Sequence, residues 1–361
     1  MQMFHRSDPI NRKWAFTWAL ALAILWIGLP AQSAGVLLFL SPDGSHICRQ
    51  ADDGFSLWEL ATGKNKASWG PAPDDASRPV FRADGQELLT LSANGLLRVT
   101  QVMTGKPRLQ LWVKDLNSLT SRRALALHPQ GNWIALKTDG YTSKILATRP
   151  AAQPQVLKPI GDIDYPDLMA YSPNSRWLAY AGTRLAPTVD DGESNSVLRP
   201  TYTIYLRTAV DGAMTDEVVR LNVDESLWEM DFSPQSDLLA ITSDSGLYLW
   251  DTASRKKRHF LPEAFQQAVF SPDGSRFATA MRGEGYEAQI GIYDSKSGEQ
   301  LQLLPQNPDT LSSMAFSRDG KSLLVAESDT VKVLDPHIGL IRSYRFVCQK
   351  SCRLSRSDLA S

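Results

Sequence analysis

Two carboxylates one residue apart, Glu229 and Asp231, and a second close pair, Asp164 and Asp167, are the groups best spaced for acid–base work. Pairs of this kind serve hydrolysis when the fold brings them to one cavity, and they can also hold a divalent cation. Other chemistry has little to draw on. After residue 34 the histidines are His46, His128, His259 and His337. No His-x-x-x-His, His-Glu-x-x-His, Cys-x-x-Cys-His, Gly-x-Ser-x-Gly or phosphate-loop pattern occurs. No catalytic residue, cofactor or metal ligand is assigned on this basis, and His46, His128 and His337 read as solvated turn residues.

The basic run Arg255-Lys256-Lys257-Arg258-His259 is the sharpest charge cluster. It reads as an exposed edge strand, where such charges block strand-to-strand pairing, before it reads as an anion site. Trp69, Trp112 and Trp228 are aromatic candidates for partner binding, with packing between neighbouring sheets as the plainer alternative. Cys348 and Cys352 bracket "QKS" and are close enough for a local disulfide. A bridge from Cys48 to Cys348, joining the two ends of the fold, is the second possibility.

The elements that must position these residues come from an internal repeat. Seven tight turns follow an apolar anchor: "LSPDG" at Leu40, "FRADG" at Phe81, "LHPQG" at Leu127, "YSPNS" at Tyr171, "FSPQS" at Phe232, "FSPDG" at Phe270 and "FSRDG" at Phe316. The intervals are 41, 46, 44, 61, 38 and 46 residues. An apolar strand ends at each anchor. A second run such as "LLAITS" or "RFATAM" follows the turn, then a third such as "LYLWDT" or "IGIYDS", then a more polar fourth. A single four-stranded sheet cannot bury both faces. Seven set around an axis can, which predicts an all-β, seven-bladed β-propeller of four-stranded antiparallel blades over residues 35–347.

Trp250-Asp251 after "GLYL", the near-match Trp58-Glu59 and the "SPDG" turns resemble WD40 repeats and the WD40-like (PD40-type) repeats of exported bacterial propellers. The resemblance implies protein binding. Gly-His dipeptides are missing and most third strands lack the Trp, so blades held mainly by apolar packing are expected.

The long interval contains "TRLAPTVDDGESNSVLRP", residues 183–200, read as a loop between the second and third strands of blade four. Antiparallel alternation puts Arg184, Asp190, Asp191, Glu193 and Arg199 on the face that carries the blade-to-blade linkers, opposite the "SPDG" turns. A tolerated insertion without a partner is the alternative.

Residues 1–34 have a different character. Basic residues precede the uncharged Trp14–Leu29, and Pro30 and small residues follow, as in a signal peptide cleaved after Ser33 or Ala34. An uncleaved N-terminal anchor is the alternative. The expectation is a periplasmic or secreted, non-enzymatic scaffold that binds protein through the linker face, with no membrane insertion beyond the leader. With 38 basic against 39 acidic residues, the chain offers no electrostatic footprint for nucleic acid. The rivals are a propeller hydrolase or lactonase using channel-mouth carboxylates, and a glycan- or small-molecule-binding propeller. Residues 348–361 read as a frayed tail bearing the Cys pair.

Overall fold

The computed structural model describes residues 36–70, 78–92, 95–113, 125–137, 143–147, 155–157, 165–184, 201–210, 213–215, 221–223, 227–263, 265–282, 288–304, 311–327, 329–335, 339–348 and 352–358. The expected leader lies outside them. The described strands form seven antiparallel sheets, each built from consecutive strands. Their innermost strands are Leu37–Leu40, Val80–Phe81, Leu125–Leu127, Tyr165–Tyr171, Leu227–Phe232, Phe265–Phe270 and Leu311–Phe316. Every one ends on the predicted anchor. The fold is the expected seven-bladed propeller.

The turn after each anchor explains the repeated motif. In blade six Ser271 Oγ donates to Asp273 Oδ1 at 2.6 Å, and the Ser275 amide donates to the same oxygen at 3.1 Å. The Gly274 amide closes the turn on Ser271 O at 2.8 Å. Blades one and seven repeat the arrangement with Ser41–Asp43 and Ser317–Asp319. These bonds to the ionised carboxylate hold Asp273 below the usual carboxylate range, Ser271 contributing most. The residue after the acid is left-handed: Gly44, Gly274 and Gly320 have φ of 65, 67 and 69°. Glycine takes that conformation without strain. Ser175 and Ser236 occupy it at 61 and 64°.

Packing between blades follows from strand alternation. Seven separate apolar clusters occupy the seven junctions, and each anchor sits in the junction with the preceding blade. Phe316, for example, packs against Ile290 and Ile292 of blade six, and Phe232 against Ile204 and Leu206 of blade four. Second strands such as His46–Ala51, Glu87–Leu91 and Leu238–Ser243 are buried along their whole length because both faces are covered. Outer strands such as Lys256–Leu261 are mostly exposed. Each large apolar side chain taken from water contributes roughly 1.5–3 kcal/mol.

The ring closes without strand exchange among the described residues. Leu38, Leu40, Ile47, Trp58 and Leu60 of blade one pack on Ala315, Leu324, Ala326, Val331 and Tyr344 of blade seven. Cys48 is a free, buried thiol on the other face of its sheet, among Phe55, Leu57 and Leu88 at the junction with blade two. It points away from blade seven, which removes the Cys48–Cys348 staple.

Two blades depart from four strands. In blade four, Leu221–Val223 pairs beside Ala213–Thr215 on the third strand, Thr201–Val210. In blade seven, Cys352–Asp358 pairs antiparallel with the outer strand Gly339–Cys348. The tail expected to fray is therefore a fifth strand. Its polar sequence "CRLSRSD" carries no hydrophobic alternation to announce it, but an outermost strand needs only backbone pairing on one side.

Candidate functional site

The innermost strands surround a central channel of about 840 Å³ to which all seven blades contribute. Residues one place before the anchor form a ring in its wall. Phe39, Val80, Ala126, Ala170, Val269 and Ala315 are apolar, and blade five supplies Asp231. At the turn-side mouth, the position two places after the anchor gives Pro42, Pro129, Pro173, Pro234 and Pro272, completed by Ala83 and Arg318. The proline that fixes the turn thus also forms the rim.

Three places before the anchor, side chains reach the next blade. Gln267 Oε1 accepts from the Met314 amide at 2.9 Å, and Ser313 Oγ accepts from the Leu40 amide at 3.3 Å. An innermost strand leaves one edge of its backbone without a ladder, and these side chains supply partners there. Blade five has Glu229 at this position and blade two has Arg78, whose guanidinium lies 5.9 Å from the Phe39 ring centre.

Glu229 and Asp231, paired in the sequence reading, come together on the wall of blade five. Asp231 is exposed to the channel, inside the ring of blades and away from the outer surface. Loss of bulk solvent, reinforced by Glu229, pushes its pKa up to about 7, against the amide of Phe232 that donates to it at 2.9 Å. Among the described residues no Lys or Arg forms an ion pair with Asp231. Asp164 and the Asp167 side chain lie outside the described residues.

The linker face holds the other candidates. Trp112 closes the outer strand of blade two and is 63% exposed. Trp69, at the matching place in blade one, is engaged in the junction with blade two. It stacks on Phe55 with ring centres 6.1 Å apart, Arg98 lies 4.6 Å over it, and its Nε1 donates to Thr90 Oγ1 at 3.3 Å. Trp228 is half-buried and donates to Asp244 Oδ1 at 2.8 Å. Arg184 ends the second strand of blade four and stands opposite Thr201 in the ladder, so residues 185–200 leave from a paired hairpin neck. Asp190, Asp191, Glu193 and Arg199 lie outside the described residues.

Other residues resolve differently from expectation. His46 and His128 are buried, not solvated. His128 stands where other blades have the turn serine, and its Nδ1 accepts from the Gln130 amide at 3.2 Å while its ring meets Tyr171 edge-on. Burial pushes its pKa down to about 4. His337 lies outside the described residues. The basic run is an edge strand, as read: Arg258 pairs with Asp251, and His259 bonds the Lys296 carbonyl at 2.7 Å. Asp251 itself accepts from the Ser254 amide at 2.7 Å, capping the turn after the third strand, while Trp250 Nε1 is buried with no hydrogen-bond partner among the described residues. Cys348 and Cys352 face each other in the ladder of blade seven.

One feature escaped the sequence reading. Glu87, almost wholly buried, accepts from Arg108 at 2.5 Å and from Arg82 at 3.1 Å, and Arg108 continues to the Gly131 carbonyl of blade three at 3.1 Å. Arg82 replaces the turn serine of blade two. That substitution was the available signal.

No family model matches the chain. SEC12-like protein 1 of Arabidopsis thaliana is 25% identical over 219 residues, 57% of this chain, and the match spans half of that relative's length. A chain in the crystal structure of the mitotic checkpoint complex superposes with a TM-score of 0.59 at 13% identity, over 91% of this chain and 94% of that one. The architecture is a WD40-like seven-bladed propeller.

Proposed function

We propose that this chain is a non-enzymatic, exported propeller of the WD40-like type that serves as a protein-interaction scaffold. Its partner sits on the face formed by the inter-blade linkers and the loop over 183–200. The observation that carries the reading is Trp112, a large aromatic left 63% exposed at the linker end of a scaffold that buries most others. Exposed tryptophans of this kind anchor protein partners. The structural neighbour in the mitotic checkpoint complex is part of a protein assembly, which fits the same use of the fold. Export rests on the leader pattern over residues 1–34 and places the propeller in the periplasm or outside the cell.

The test is site-specific photocrosslinking in the native cell. A probe at Trp112 is compared with one at Met103, 67% exposed on the opposite face. Protein adducts from position 112 that disappear when residues 185–200 are deleted support the reading. Adducts from position 103 alone, or from 112 regardless of the loop, overturn it. Mass measurement of the chain recovered from the native cell tests the leader independently: a start at residue 34 or 35 supports cleavage and export, and an intact N-terminus on a cytoplasmic chain overturns them.

A further inference from the structure

The central channel is chemically one-sided. Six of the seven ring residues, Phe39, Val80, Ala126, Ala170, Val269 and Ala315, are apolar, and Asp231 is the one acid among them. In a ring of seven, the blades directly across from blade five are one and two. They contribute Phe39 and Val80, two of the larger apolar side chains in the ring. Glu229 lies two residues before Asp231 on the same strand, about 6–7 Å along it towards the linker face. The remaining charged residues in the lining are Arg78 of blade two, and Asp43, Asp84 and Arg318 around the turn-side rim.

We propose that this channel binds a small organic monocation, an alkylammonium whose charge rests against Asp231 and Glu229 and whose alkyl chain lies on Phe39 and Val80. A volume near 840 Å³ accommodates such a molecule with room to enter from the open end. The chemistry follows from what each wall lacks. Asp231 has no ion pair with a described Lys or Arg. A cation with at least one N–H supplies both the charge and the donor. Neutral alcohols fill the apolar part and leave the carboxylate as it was. Carboxylates of the same length meet two like charges on blade five.

Titration provides a signature that simple apolar adsorption lacks. Asp231, with its pKa near 7, must be ionised in the complex, so binding releases a proton near neutrality. Affinity for the cation therefore rises with pH through that region. Asp43 at the rim lies below the usual carboxylate range, because hydrogen bonds from Ser45 and Ser41 outweigh the desolvation of its carboxyl, so it adds no slope there.

The experiment is isothermal titration of the purified full chain with n-hexylammonium, 1-hexanol and hexanoate at pH 8 and pH 6. Hexylammonium binding at least tenfold tighter than hexanol at pH 8, and weakening roughly tenfold by pH 6, is the expected result. Asp231→Asn removes both the preference and the pH dependence, and Glu229→Gln weakens the preference while leaving a slope. Thermal melting confirms that each variant is folded. Equal affinity for hexanol, an unchanged preference in folded Asp231→Asn and Glu229→Gln, or no binding by the wild-type chain would overturn the proposal. None of these outcomes bears on the linker face, whose test is the crosslinking above.

Discussion

The Leu40 amide donates to the Ser313 hydroxyl at 3.3 Å, joining residues 273 apart in sequence. With the apolar junction around it, this bond shuts the propeller where its first and last blades meet. Side chains do here what a shared strand would do by backbone pairing.

The seam should consequently be sensitive to apolar truncation. Leu324 is buried against blade one, and its methyl groups lie where a side chain at Gly44 would fall. Leu324→Ala is expected to cost about 2–4 kcal/mol in urea unfolding. Hydrogen exchange should then accelerate first in blades one and seven. Uniform acceleration across all blades would show that the seam is not the weak junction.

Glu87, itself almost wholly buried, holds the guanidinium groups of Arg82 and Arg108, the second of them partly open to solvent. Glu87→Ala leaves Arg82 and Arg108 facing each other without their shared acid, and a loss of about 3–5 kcal/mol is expected. The double variant Glu87→Met with Arg108→Met should recover much of it, as measured by denaturant midpoint.

Ser175 adopts a left-handed φ of 61°, in which a Cβ comes too close to the following carbonyl oxygen. Ser175→Gly should stabilise the protein by a few tenths to about 1 kcal/mol. Gly274→Ala, at φ 67° and with Gln235 crowding the position, should destabilise it.

Asp231 makes stability depend on pH in an unusual direction. Its folded pKa is raised from 3.8 to about 7, so its favourable contribution is present at low pH and is lost as pH rises through 7. Asp231→Asn should match the wild type near pH 4 and exceed it at pH 8. The gain should be on the order of 1 kcal/mol, since channel water screens part of the shift. Thermal melts at the two pH values measure it.

His128 acts in the opposite sense. Its folded pKa falls from 6.5 to about 4, so its contribution is present above pH 6.5 and is lost as pH falls through 4. His128→Gln should flatten the acid limb of the stability curve relative to the wild type.

The blades were legible because their signals are local. An anchor, a left-handed turn residue and two short strands recur within a few residues of each other, and each is dictated by backbone geometry. Alternation from the anchor also put Glu229 and Asp231 on the innermost strand. The burial of His46 and His128 was not legible, because residues at such turns are ordinarily wet; His46 opens a second strand that is buried throughout, and the ring of Tyr171 from blade four lies against His128. The bond network of Glu87 was hidden for a related reason: Arg82, Glu87 and Arg108 converge through the folding of three strands. The fifth strand of blade seven pairs through its backbone, and backbone pairing leaves no mark on side-chain type.

No ladder among the described strands runs from one sheet into another. Each blade is thus self-contained in its backbone pairing, and its neighbours recognise the shape and apolarity of its faces together with a few side-chain hydrogen bonds, such as Gln267 to Met314 and Ser313 to Leu40. Whole cassettes can therefore be added, lost or exchanged by recombination at the linkers wherever the faces fit and those few polar contacts are met.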